Sequence, residues 1–153
     1  PYKAITRNTI NLGIAVAMNN GGLIVPVIHN ADGMNLIGIA RSLNDLAKRA
    51  RIKKLTRNEI QGGTCSLTNF GVCGNDIGIP IINQPQVAIL STDGITRRPV
   101  AVTDQRGHES IAIHSVGNLT MSWDHRAFDG AYAAAFLARM KEILQTRDWT
   151  AEL

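Results

Sequence analysis

Cysteine and aromatic residues are scarce in this chain: two cysteines in 153 residues, and an aromatic share of 5%. Cys65 and Cys73 are eight apart, with no Cys-x-x-Cys and no neighbouring pair of histidines. That spacing argues against a zinc or redox centre and for two free thiols in a reducing compartment. His29, His108, His114 and His125 likewise show no metal-ligand spacing. No apolar run approaches the ~20 residues of a membrane span. No basic segment followed by an apolar stretch opens the chain, so nothing in it suggests secretion. Cations cluster at Lys48, Arg49, Arg51, Lys53, Lys54 and Arg57, with no aromatic side chain among them. Nucleic-acid binding would want stacking platforms there. The cluster reads instead as a solvated helix end complementing the helix dipole, with a positive field from which an anionic ligand would still gain.

What is present is the composition of a globular domain: 44% hydrophobic, 18% charged and a net charge of +4. The length suits one domain with a substantial core. Ile10–Met18 and Leu23–Ile28 are β-rich runs separated by Asn19-Asn20-Gly21-Gly22, a strong turn signal. After Asp32-Gly33, Asn35 is an N-cap for a helix whose apolar positions are Leu36, Ile39, Leu43, Leu46, Ala47 and Ala50. Gly62-Gly63 ends that pattern, and a strand runs to Phe70. The stretch from Gly71 to Pro85 is too rich in glycine and proline for regular structure. Val87–Leu90 is a short apolar strand, and Val100–Thr103 with Ser110–His114 forms a hairpin around Asp104–Gly107. Leu119–Trp123 alternates apolar with small polar residues and is expected to be half-buried. A last helix runs from Ala131 to about Gln145, with Ala134, Leu137, Ala138, Ile143 and Leu144 expected inside. These elements place the chain in the α/β class, helices packed on a largely antiparallel or mixed sheet, without repeats or linkers.

The chemistry concentrates in Ser122-Trp123-Asp124-His125-Arg126-Ala127-Phe128-Asp129-Gly130, a His-x-x-x-Asp-Gly at a strand-to-helix corner. Imidazole titrates in the range that a general base for a thiol or hydroxyl requires. On these residues alone a second meaning stands beside it: a histidine at a strand end, and an Asp that caps the next helix.

Four further segments decide between them. They are Leu12–Val16, Gly22–Ile28 with Asn30-Ala31-Asp32, Gln61–Thr64 through Thr68-Asn69-Phe70-Gly71, and Pro80–Leu90. Taken in order with Asp124-His125-Arg126 and Asp129-Gly130-Ala131, they make the chain similar to the catalytic domain of the dihydrolipoamide acyltransferases, the E2 components of 2-oxo acid dehydrogenase complexes. The resemblance runs from about Asn11 to Leu144. It implies a chloramphenicol-acetyltransferase-like fold, a mixed sheet with packed helices, and a trimer with active sites between subunits. It also implies that residues 1–153 are the C-terminal part of that domain, its opening elements and the lipoyl and subunit-binding domains lying outside. No Asp-Lys-Ala lipoylation signature occurs here.

The implied reaction moves an acyl group between dihydrolipoamide, carried on a separate lipoyl domain, and coenzyme A as substrate, with no metal. His125 matches the base that takes the coenzyme A thiol proton, its tautomer fixed through the other ring nitrogen. Asp129 matches the motif carboxylate, whose position before a helix favours a cap or an ion pair over a His–Asp relay. Arg126 is an ion-pair or interface residue. Thr68 stands where the family has a serine that donates to the oxyanion, and threonine keeps that donor. Ser91, Thr92 and Asn69 are candidate contacts with coenzyme A; Ser91 replaces a usual glycine, and Ala17 replaces an acidic residue found in many relatives. The expected partners are two further copies, a larger core, and the E1 decarboxylase and E3 dihydrolipoamide dehydrogenase, with no nucleic acid or membrane. The compartment is the bacterial cytoplasm or the mitochondrial matrix. A non-catalytic structural core subunit and another acyltransferase with the same motif remain as rivals. Acetyl, branched-chain and succinyl groups all stay open.

Overall fold

Asn35 ends an extended stretch and starts α1 (Leu36–Arg51) in the computed structural model, which describes residues 5–152. Its Oδ1 accepts the Gly38 N–H at 2.9 Å and satisfies one of the N–H groups left unpaired at a helix start. Leu46 and Ala50 are buried, and Leu46 clusters with Ile28 and Ala31 while Leu12, Ile14, Ile39 and Leu43 pack around them. Leu36, in the first turn, stays outside this cluster and is exposed.

The two expected opening strands are each split. The first becomes β1 (Leu12–Ile14) and β2 (Val16–Ala17); the second becomes β3 (Leu23–Ile24) and β4 (Val27–Ile28). Ala15 donates its N–H to Leu67 O at 2.9 Å, after which the chain leaves the main sheet and β2 pairs with β3 as an antiparallel hairpin. On the other side Pro26 has no N–H to extend that hairpin, and its carbonyl instead accepts from Ile14.

β5 (Cys65–Asn69) and β6 (Ala88–Thr92) follow, then β7 (Thr96–Thr103), β8 (Glu109–Val116) and β9 (Leu119–Trp123). The main sheet has the order β4-β1-β5-β6-β9. Its centre is parallel, β1 to β5 to β6, and both edges are antiparallel, so the sheet is mixed. β7 and β8 form a separate hairpin, longer than the sequence suggested, closed at Asp104, whose carboxylate accepts the N–H groups of Arg106 and His108. The stretch between β5 and β6 is irregular apart from one 3-10 turn at Gly71–Cys73.

α2 (Gly130–Thr146) closes the described chain apart from a 3-10 turn at Thr150–Glu152. Its inner face differs from the expected one. Ala133 is buried and Leu137, Met140 and Ile143 are half-buried, whereas Ala134, Ala138 and Leu144 are exposed. Alanine gives no amphipathic contrast along this helix, so sequence periodicity leaves its rotation loosely determined. Among the described residues no helix is long and apolar enough to cross a membrane.

Candidate active site

The corner between β9 and α2 is built by Asp124. Its N–H donates to Val87 O at 2.8 Å, and its carbonyl accepts from Ala127 at 2.9 Å, closing a turn around His125. Its carboxylate takes the Arg126 backbone N–H at 2.9 Å and the Arg126 guanidinium at 2.7 Å. That guanidinium holds the Asp124 carboxyl down at about 2. Trp123 supports the corner from the strand side. Its indole N–H donates to Phe128 O at 3.1 Å, and its ring stacks on Phe128 with centroids 6.2 Å apart. His125 itself is exposed, 6.0 Å from the Trp123 ring. Among the described residues no hydrogen bond reaches its ring nitrogens, so the tautomer-fixing bond implied by resemblance is not found there. Asp129 is committed to the helix: as N-cap of α2 its carboxylate accepts the Tyr132 N–H at 2.9 Å.

Thr68 lies at the far end of β5, one of a row of hydroxyls on one face of the sheet. It pairs with Ser91 on β6, which pairs with Thr120 on β9, so the three side chains share a face. Ser66, two residues earlier, points the same way. Three of these hydroxyls are already engaged as donors. Ser66 donates to Gln86 Oε1 at 2.7 Å, Ser91 to Asp93 Oδ1 at 3.0 Å, and Thr120 to Gly78 O at 2.7 Å. Thr68 is buried at 8% exposure, and among the described residues its hydroxyl has no hydrogen-bond partner.

Asp93 and Gly78 hold the loop over this row, and the sequence reading did not single them out. Asp93 is buried at 4%, and its Oδ1 also accepts the Gly78 N–H at 3.0 Å. A side chain at Gly78 would collide with the Phe70 ring. The only available signal was an Asp-Gly pair at the end of an apolar strand, which reads equally well as a surface turn.

The other candidates separate. Ser91 is fully buried and bonded to Asp93, so its hydroxyl serves the interior. Asn69 and Thr92 pair with each other across β5 and β6, and strand alternation puts them on the face opposite Thr68. The Asn69 side chain accepts the Gly71 N–H at 2.8 Å. Ala17 is exposed at the end of β2. Burial pushes the Cys65 thiol up, which disfavours a thiolate nucleophile there. No group of three or more His, Cys, Asp or Glu able to hold a metal occurs among the described residues.

Within one chain Thr68 and His125 stand apart. Two strand spacings and three residues of rise separate the Thr68 Cα from that of Trp123, roughly 14 Å in all, and His125 lies beyond the strand's end.

The model of the family described as 2-oxoacid dehydrogenases acyltransferase (catalytic domain) matches residues 2–150. The chain is 43% identical over 143 residues to the dihydrolipoyllysine-residue acetyltransferase component of the pyruvate dehydrogenase complex of Mycobacterium bovis, covering 94% of this chain and 26% of that protein. It is 42% identical to the lipoamide acyltransferase component of the branched-chain alpha-keto acid dehydrogenase complex of Bacillus subtilis, covering 95% and 33%. A succinyltransferase component of the 2-oxoglutarate dehydrogenase complex from the same organism is 40% identical, at 92% and 33% coverage. The chain thus spans about a third or less of the length of these curated relatives.

Among solved structures, a probable dihydrolipoamide acetyltransferase from Listeria monocytogenes superposes with a TM-score of 0.84 at 39% identity, covering 95% of this chain and 62% of that one. The Azotobacter vinelandii dihydrolipoamide acetyltransferase, described with the roles of a serine, a histidine and an asparagine in its mechanism, superposes at 0.82 and 34% identity, with 93% and 56% coverage. Its histidine and asparagine are four residues apart, the spacing of His125 and Asp129. The fold is therefore that of the acyltransferase cores, as the sequence motifs implied.

Proposed function

The chain belongs to the family of 2-oxoacid dehydrogenase acyltransferase catalytic domains, and on that premise we propose that it transfers an acyl group between dihydrolipoamide and coenzyme A. The observation that carries the proposal is the division of labour in the motif. His125 is exposed with its ring nitrogens free of partners among the described residues, while Asp129 is engaged in capping α2. A histidine presented in this way can exchange a proton with a substrate.

In the proposed reaction the His125 imidazole takes the proton of the coenzyme A thiol, a group with a pKa of roughly 8. The thiolate forms a C–S bond to the acyl carbonyl carbon of S-acyl dihydrolipoamide, and the carbonyl oxygen becomes an oxyanion. The Thr68 hydroxyl donates to that oxyanion. Collapse breaks the C–S bond to dihydrolipoamide, and the imidazolium returns its proton to the departing sulfur. Because His125 and Thr68 are separated within one chain, His125 of one subunit works with Thr68 of another, in a trimer that forms part of a larger complex core. Decarboxylase and dihydrolipoamide dehydrogenase components complete that complex. Two unpaired thiols fit the reducing compartment in which such complexes work.

Steady-state rates with acetyl-, isobutyryl- and succinyl-CoA against dihydrolipoamide test the reading and assign the acyl group. Turnover with one of the three above the others supports it, and no turnover with any of them removes it in favour of a structural core subunit.

A further inference from the structure

We propose that Asp93 is a positioning residue for the Thr68 hydroxyl: by taking the Ser91 proton and clamping Gly78, it draws the neighbouring hydroxyls away from Thr68 and leaves that donor for the oxyanion. The role of Thr68 in this proposal rests on the function proposed above.

Thr68, Ser91 and Thr120 lie side by side on three adjacent strands, in register and on one face. Neighbouring strands are roughly 5 Å apart, so facing hydroxyls can bond to each other. A Thr68 bonded to Ser91 would have its proton engaged before any substrate arrived. In this row the bonds run outward instead. The Ser91 hydroxyl donates to Asp93 Oδ1 at 3.0 Å, although Thr68 is its cross-strand neighbour. The same oxygen accepts the Gly78 N–H at 3.0 Å, and the Gly78 carbonyl accepts from Thr120 at 2.7 Å. One carboxylate thus engages Ser91 directly and Thr120 through Gly78. Gly78 has no room for a side chain between the Phe70 ring and Asp93 Oδ1, so the clamp holds a single position.

The bland account is that Asp93 closes the turn after β6. The backbone already does that: Asp93 N–H donates to Asn118 O at 3.2 Å, and Gly94 N–H to Asn75 O at 2.9 Å. The second carboxylate oxygen, Oδ2, is buried with no hydrogen-bond partner among the described residues. Burying an unpaired carboxylate oxygen costs stability, a cost that an apolar residue of similar shape avoids. A buried polar group that opposes stability points to a role beyond the scaffold.

The test reads kcat, KM and thermal unfolding of variants of the assembled protein. Asp93→Ala releases the Ser91 hydroxyl to bond with Thr68. It is expected to lower kcat about fivefold, the factor for breaking one neutral hydrogen bond, with KM unchanged. Adding Ser91→Ala removes the competing hydroxyl, so the double variant is expected to recover most of that loss without recovering stability. A scaffold role predicts a double variant as slow as the single one or slower. Asp93→Asn keeps an acceptor for Ser91 and Gly78 and is expected to hold kcat within about twofold.

Asp93→Leu, similar in shape and without the polar oxygens, repeats the deletion should Asp93→Ala not fold. Loss of folding in both assigns Asp93 to the scaffold and overturns the proposal. So does an unchanged kcat in the deletion variants, a rise in KM alone, or a double variant without recovery. A crystal structure of the deletion variant gives a readout independent of turnover. Thr68 Oγ1 and Ser91 Oγ are expected within hydrogen-bond distance there, and hydroxyls that stay apart overturn the proposal. That bond in a protein with no acyl transfer supports the positioning while the function proposed above fails. Wild-type transfer with a kcat unmoved by the deletion does the reverse.

Discussion

The Asp129 carboxylate accepts the backbone N–H of Tyr132 at 2.9 Å and so begins α2. Four residues after His125, it looks like half of a relay; in the fold it is a helix cap. Asp129→Asn keeps a side-chain oxygen for that bond and is expected to retain both stability and most of the activity. Asp129→Ala is expected to lose about 1 kcal/mol of stability. Thermal unfolding alongside kcat checks the pair. If Asp129→Asn unfolds normally yet has no turnover, the carboxylate charge acts directly in the chemistry.

His125 is exposed and contributes no hydrogen bond to the fold among the described residues, so its loss should fall on chemistry alone. His125→Ala is expected to lower kcat by ~10²–10⁴-fold with unfolding and assembly unchanged. Retention of more than about a tenth of wild-type turnover, measured against the range expected for a general base, removes it as the base.

In the row Thr68, Ser91 and Thr120, only the Thr68 hydroxyl has no hydrogen-bond partner among the described residues. Thr68→Ser is expected to keep turnover, and Thr68→Ala to lose ~2.7–4 kcal/mol of transition-state stabilisation. Equal kcat for the two variants excludes an oxyanion role.

Acid stability has a defined source at the end of α1. The Arg49 guanidinium and the Thr56 N–H bring the Glu59 carboxyl down from 4.5 to about 2. Its folded pKa is depressed, so the stabilisation is present above about 4.5 and lost as pH falls toward about 2. Urea unfolding of wild type and Glu59→Gln should therefore show a stability difference that narrows across that window. A difference independent of pH contradicts the pairing.

Much of this was legible because it is local. Asn35 and Asp129 cap the helices that follow them, the Asn19–Gly22 turn makes a hairpin, and β9 is half-buried as its alternation suggests. The five motif segments carried the family, and with it the fold. What was not legible is non-local. Nothing near Leu12 says that β1 lies beside β5 in parallel, and nothing near Ser91 says that its hydroxyl turns to a buried Asp93. The buried face of α2 differs from the periodicity because alanines carry too little hydrophobic contrast to fix a helix rotation. Ser91, Thr92 and Asn69 looked equivalent as neighbours of a cofactor, but strand alternation separates them onto two faces.

The central claim is that His125 of one subunit and Thr68 of another complete a single site. Mixing dissociated His125→Ala subunits with Thr68→Ala subunits and reassembling them tests it most directly. Each parent is inactive, but a mixed trimer rebuilds an intact site, so reassembled mixtures should recover a fraction of wild-type turnover. Mixed assemblies that form and stay as inactive as either parent contradict the shared site.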